Sequence, residues 1–313
     1  MRATLSRFTG LRLVALFAAL GCRPSDAAPR PAASAPPQPA PPSASAAANV
    51  LPRPSASAAS NALSPAPSAA SAASGCPPDM ARIAGFCMDR YEAHLTRPGD
   101  DGTLTPYPPY QRPEKDGRYV AQSTPGVMPQ AYISRAEAED ACRRAQKRLC
   151  TVGEWYRACI GPRGWPFPYG VQEQPRVCNT KKPHLLARLY GSDPRGWKYD
   201  EHFNDPGLDR EPGFLAKTGA HTGCVSLEGV YDLVGNLHEW VSDRVDASLP
   251  EKIPLLPNLV QKLGRNRGHG IFMGGFFSTG SEHGRGCAFV TIGHEPKYHD
   301  YSTGFRCCRD VAL

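Results

Sequence analysis

Val230-Tyr-Asp-Leu-Val-Gly-Asn-Leu-His-Glu-Trp240 is the stretch on which the fold turns. Gly235-Asn236 between apolar residues marks a tight turn. Asp232 and Glu239 flank it. On the residues alone, they cap the turn while Trp240 enters the core. His238 reads as a semi-buried packing residue.

Moving outward, two helices can be placed. Ser134-Arg-Ala-Glu137 and Thr151-Val-Gly-Glu154 are capping boxes, in which the hydroxyl and the carboxylate satisfy each other's exposed backbone N–H groups. The first helix runs to about Gln146. The second carries Trp155 and Cys159, four apart and therefore on one face. Elsewhere Gly, Pro, Asp and Asn are dense. Short apolar runs, Ile271-Phe-Met273 and Cys287-Ala-Phe-Val-Thr-Ile292, predict short strands among many ordered loops.

The N-terminus predicts export. Arg2, Arg7 and Arg12 precede an apolar run, Leu13 to Leu20. That run is far shorter than the roughly 20 residues needed to span a bilayer and suits a signal peptide. It ends in Ala19-Leu20-Gly21-Cys22, similar to a bacterial lipobox, so residues 1–22 are expected to end in lipidation at Cys22; ordinary cleavage and release is the alternative. Residues 23–75 are almost wholly Ala, Pro and Ser. They cannot bury enough surface to offset chain entropy and are expected to form a disordered tether. Residues 76–313 remain for one folded domain.

Of eleven cysteines, ten follow Cys22. An even number in an exported chain argues for disulfides, and the absence of any CxxC pair argues against zinc. The formal charge of +7 misleads: three arginines lie in 1–22, and three more oppose one aspartate in 23–75. The folded part is left near +2, and nothing in it calls for a nucleic-acid partner.

Four segments in order carry a resemblance. They are Met80 to Glu92 (MARIAGFCMDRYE); Lys147-Arg-Leu-Cys-Thr-Val-Gly-Glu-Trp155; the stretch 230–240; and Gly274-Gly275 followed by Gly304-Phe-Arg-Cys307. Together they resemble the formylglycine-generating, or sulfatase-modifying factor, family across nearly all of 76–313. The resemblance implies an α+β, C-type-lectin-like single domain with little regular secondary structure. It also implies two disulfides, Cys142–Cys307 and Cys159–Cys287. The partners of Cys76, Cys87, Cys150, Cys178, Cys224 and Cys308 stay open, with Cys76–Cys87 a plausible local closure. Carried over by position, the calcium ligands are Asp232, the carbonyls of Gly235 and Leu237, and Glu239. A second family calcium site near Cys178-Asn179-Thr180 is less clear, because the loop that follows is altered.

The resemblance stops short of the catalytic centre. The family's enzyme holds copper between two cysteines, the first four residues after the Gly-Gly and the second five beyond that. Here the first position falls on Thr279, and no cysteine lies between Gly275 and Cys287. A hydroxyl cannot replace a thiolate for Cu(I), so copper is not expected. His294-Glu295 invites a zinc-protease reading, but the pattern is HExxxH and Pro296 breaks the helix it would need.

The sequence therefore predicts an exported, lipid-anchored protein of the cell envelope, attached to the membrane through its N-terminal lipid. Its domain is expected to be a calcium-stabilised module for a peptide or a glycan. Thr279, His283, Arg285 and Tyr298 are candidate ligand contacts, with the aromatics Phe276 and Phe277, one of which is expected in the core. A metal-dependent oxidoreductase with a divergent centre is the alternative, and a purely structural envelope protein a third.

Overall fold

The computed structural model describes residues 75–311. The expected export segment 1–22 with Cys22, and the expected tether 23–75 apart from Gly75, lie outside the described residues. No helix among the described residues is long and apolar enough to cross a membrane.

The two capping boxes open two helices. In α1 (Arg135–Arg144) and α2 (Val152–Ile160), the Ser134 and Thr151 hydroxyls accept from the N–H three residues on, and Glu137 and Glu154 reach back. A left-handed Gln146 (φ 57°) follows α1, so the chain turns where the sequence predicts.

Strands are short, as the scattered apolar runs require. The first sheet begins with the hairpin β1 (Met80–Ile83) and β2 (Phe86–Asp89). A second contains β3 (Ala93–Pro98), with β4 (Leu104–Pro106) and β5 (Val120–Ser123) on either side. A two-residue strand, β6 (Arg148–Leu149), links the helices. The third sheet comprises β7 (His238–Arg244), β8 (Gly270–Met273), β9 (Val290–His294) and β10 (Thr303–Phe305), in the order β10-β7-β8-β9. The last strand, β11 (Cys307–Asp310), returns to the first sheet between β2 and β6. The architecture is α+β with little regular structure.

Cys287 departs from the expected strand. It lies in the single turn Gly286–Ala288, and β9 begins only at Val290. A Cβ on Gly286 would meet the Pro166 carbonyl at 2.3 Å, so the chain bends against its neighbour before it can extend.

The C-terminal strands lock the fold. β10 runs parallel to β7, with Phe305 opposite Trp240. One residue later, β11 runs antiparallel to β2 and β6. Arg306 is thus the single residue between two sheets, and it is 1% exposed. Successive strand residues face opposite sides, which lets Cys307 and Cys308 reach different partners. Cys307 bonds Cys142 on α1, and Cys308 bonds Cys150 ahead of α2. Cys159–Cys287 ties α2 to the turn before β9. Cys76–Cys87 and Cys178–Cys224 complete five disulfides. Both pairs that the resemblance implies are formed, and every cysteine among the described residues is oxidised.

Candidate functional site

The turn 230–240 gets its shape from three left-handed residues: Asp232 (φ 59°), Gly235 (φ 83°) and Asn236 (φ 59°). Short polar side chains and glycine tolerate this conformation best. Asn236 then acts as a hub. Its Oδ1 accepts from Asn179 Nδ2 at 2.8 Å and from the Ala216 N–H at 2.9 Å, and its Nδ2 donates to Glu92. Glu92 also accepts the Leu237 N–H at 3.0 Å.

Beneath the turn lies a buried ionic cluster. Arg306 Nε and Nη2 each donate to Glu239 at 2.6 Å, and Trp155 Nε1 donates to the same carboxylate at 2.8 Å. Asp232 accepts the Gly219 N–H at 2.6 Å. Burial, with the charges of Asp232 and Glu239, pushes Glu92 well above the usual carboxylate range. Burial likewise pushes Asp232 up to about 6. For Arg306, burial acts downward, but Glu239, Glu92 and Asp232 together hold it above the ordinary arginine value. Three carboxyl groups thus surround one guanidinium, and burial makes Glu92 and Asp232 harder to ionise than free carboxylates. For a metal ion the donor set is incomplete. Glu239 is already engaged by Arg306 and Trp155, and among the described residues no three His, Cys, Asp or Glu side chains converge on a metal position. Asp232 and the carbonyls of Gly235 and Leu237 are the part of the expected set that Arg306 does not occupy.

At the second turn, a cation of the protein serves the backbone. Lys182 Nζ donates to the Gly213 carbonyl and, at 2.7 Å, to that of Phe214, which also accepts from Asn179 Nδ2 at 2.9 Å.

Beyond Gly274-Gly275 the chain borders a groove of about 350 Å³. Phe167 and Tyr169 stack on one wall, with centroids 5.6 Å apart. Arg285 lies over Phe167 at 6.0 Å, and its guanidinium is 3.6 Å from Glu173, which also pairs with Lys181. Thr279 borders the groove but is 3% exposed, and its hydroxyl accepts the Phe276 N–H at 2.9 Å. At the position where the family's enzyme has its first copper cysteine, this chain has a hydroxyl used by its own backbone.

The other expected contacts divide. Arg285 is exposed and His283 half-buried, with Nδ1 3.2 Å from Thr291 Oγ1. Tyr298, expected outside, turns inward: its ring lies 3.9 Å from that of His294, and its hydroxyl donates to buried Asp300. Phe277 is fully buried and Phe276 half-buried, both past the end of β8. His238 is buried among Phe272, Phe276 and Phe289. His294 and His299 do not converge: His294 stacks on Phe272, whereas His299 bonds Asn204 at 2.7 Å. Sequence reasoning missed Glu92, Asn236 and Arg306. Each stands inside a quoted motif, but burial was needed to show that they meet.

The fold and this turn define a disulfide-bonded α+β domain built around a buried Arg–Glu pair. Residues 68–311 match the sulfatase-modifying factor enzyme 1-like domain, and the chain belongs to that FGE-sulfatase family. It is 29% identical over 122 residues to the bovine (Bos taurus) "inactive C-alpha-formylglycine-generating enzyme 2", covering 39% of this chain and 35% of that protein. The chain thus spans about a third of the length of this curated relative. Among solved structures it is similar to PvdO from Pseudomonas aeruginosa, at 15% identity and TM-score 0.39 over 72% of this chain and 80% of that one. CarF is similar at 16% identity and TM-score 0.40, over 72% and 87%. The M1 variant of the major tropism determinant is similar at 14% identity and TM-score 0.42, over 76% and 54%.

Proposed function

We propose that this protein is an exported binding module of the family, with no copper-thiolate oxidase centre, and that its groove beside Thr279 holds an extended peptide. The observation that carries this reading is the oxidation state of the cysteines. All ten among the described residues lie in disulfides, and Thr279 stands where a copper thiolate would be needed. The curated relative's description as inactive supports the same reading. The groove's stacked aromatics offer apolar contact, while Arg285 and Lys181 can meet a peptide's carbonyls and acidic side chains.

Five disulfides suit an oxidising compartment. The reading therefore includes export, a lipid on Cys22 and a spacer that holds a C-type-lectin-like domain off the membrane. Calcium belongs to it as a stabilising ion at Asp232 and the carbonyls of Gly235 and Leu237; Glu239 would join only by sharing its lone pairs with Arg306. Millimolar calcium should raise the melting temperature, and no rise would remove calcium from the proposal.

The test is a pair of assays on the purified protein. Peptide-library capture should enrich sequences whose binding falls at least about tenfold in Arg285→Ala, and a sulfatase-motif peptide should emerge without aldehyde. Aldehyde formation would overturn the reading, and enrichment of glycans instead of peptides would replace the ligand class. The alternative, a metal-dependent oxidoreductase with a divergent centre, draws on the neutral imidazoles of His283 and His294. Stoichiometric iron or copper in the purified protein would establish it.

A further inference from the structure

A second cavity, of about 220 Å³, lies behind the groove and shares Thr279 and Phe289 with it. It is smaller than the roughly 300–1,000 Å³ of sites for drug-sized ligands, so its occupant is a single small group. Its walls are rings. Phe276 meets Tyr301 edge-on at 5.7 Å, and His294 lies against Phe272 at 5.3 Å and Tyr298 at 3.9 Å. His283 closes the side next to Phe289 at 5.6 Å.

The polar atoms of this lining are mostly spent internally. Asp300 accepts from the Tyr298 and Ser302 hydroxyls. Thr291 is paired with His283, and Thr279 accepts the Phe276 N–H. His238 Nδ1 is the buried polar atom of this lining without a partner; otherwise an entering ligand meets mostly ring faces, too few hydrogen-bonding groups for the many hydroxyls of a sugar. No lysine or arginine lines the cavity, which disfavours an anion. Lys262 is close enough to act on His283 but stands outside the lining. The lining's second carboxylate, Glu282, is exposed at the rim, and its charge reaches both His184 and His283. Burial holds His283 and His294 below the ordinary histidine range, His294 to about 4, so near neutral pH these rings add no positive charge.

Aromatic faces carry negative quadrupolar potential and attract cations, and alkylated ammonium ions are favoured in water because they lose little hydration on entering. We propose that this cavity is an aromatic cage for a small alkylated ammonium ion of the choline class, free in solution, with Glu282 drawing the cation to the rim. It adjoins the peptide groove through Thr279 and Phe289 but does not depend on that assignment.

Calorimetry with choline, and with its uncharged isostere 3,3-dimethyl-1-butanol, tests the charge directly. The full protein should bind choline at least about tenfold more tightly than the isostere, a difference within the range of desolvated cation–π contacts. Glu282→Gln, an exposed substitution that should leave the melting temperature unchanged, should weaken choline several-fold and leave the isostere unaffected. Phosphatidylcholine vesicles should neither bind nor compete. Equal binding of choline and isostere, or no binding of either at tens of millimolar, would overturn the cage. Vesicle binding that choline blocks would overturn the free-solute assignment.

Discussion

Arg306 and Glu239 form a bidentate pair at 2.6 Å in which neither side chain has more than 1% of its surface exposed. Arg306 also donates to the Asp89 carbonyl at 3.1 Å and the Tyr231 carbonyl at 2.8 Å. One side chain therefore joins β2, the 230–240 turn and β7 at the point where the chain changes sheets. Removing one member of a buried pair strands the other charge and costs about 3–5 kcal/mol. Arg306→Met should destabilise by that order in urea unfolding. Because much of the loss is the stranded carboxylate, Arg306→Met with Glu239→Gln should recover part of it. A double variant no more stable than Arg306→Met would show that Arg306 acts through its backbone-carbonyl bonds instead.

Acid should weaken the fold through its histidines. Burial, reinforced by His269 and His283, lowers His294 from an ordinary value of 6.5 to about 4. The folded state resists protonation there while the unfolded chain does not. The contribution is complete above the unfolded value, and it is lost as pH falls from about 6.5 to 4, by at most about 3 kcal/mol at 1.36 kcal/mol per pH unit. Asp89 runs oppositely. Burial raises it from 3.8 to about 6 despite Lys147, so its penalty grows as pH rises between those values. The clean measurement is the difference between wild type and His294→Gln across pH 4 to 7. Wild-type stability should fall more steeply on acidification, and parallel curves would contradict the assignment.

The disulfides should differ in worth according to the loops they close. Cys150–Cys308 already joins the segments that Cys142–Cys307 bridges, so the fair comparison is Cys178–Cys224, which spans 46 residues, with Cys76–Cys87, which spans only 11. On loop entropy alone, the first should contribute about 4 kcal/mol and the second about 3 or less. Paired Cys→Ala variants, unfolded in urea without reductant, should rank in that order. The reverse ranking would mean that packing, and not Cys178–Cys224, holds the longer loop.

Local signals survived translation into structure best. Both capping boxes form as written, because each needs only residues three apart. The pairing of Cys142 and Cys159 followed from the family resemblance, whereas that of Cys150 and Cys178 depends on strand facing and loop paths that no spacing encodes. The site was legible as a motif but not as a charge balance. Glu92 lies 147 residues before Glu239, and nothing local shows that both sit under one turn with Arg306. Tyr298 shows the opposite failure. It reads as a ligand contact on the surface, yet the ring turns in because Asp300 offers its hydroxyl an acceptor and His294 offers the ring a face.

Gly235 supplies the sharpest test of the turn. At φ 83°, a side chain there would already be strained, and its Cβ would stand 2.2 Å from the Asn179 carbonyl oxygen and 2.5 Å from Thr180 Cγ2. The nearest atom is backbone, held by the Asn236 N–H at 2.9 Å, and cannot step aside cheaply. Left-handed strain of about 1–2 kcal/mol and overpacking of about 1–3 kcal/mol should therefore combine in Gly235→Ala. Gly153, inside α2, is the contrast: nothing lies within 4 Å of the point where a Cβ would stand. Gly153→Ala should stabilise by up to about 1 kcal/mol through helix propensity. Thermal and urea unfolding of the two variants should move in opposite directions. If Gly235→Ala unfolds at the wild-type midpoint, the close approach of the 178–180 segment to the turn is wrong, and with it the placement of Asn236 as the hub beneath the candidate calcium site.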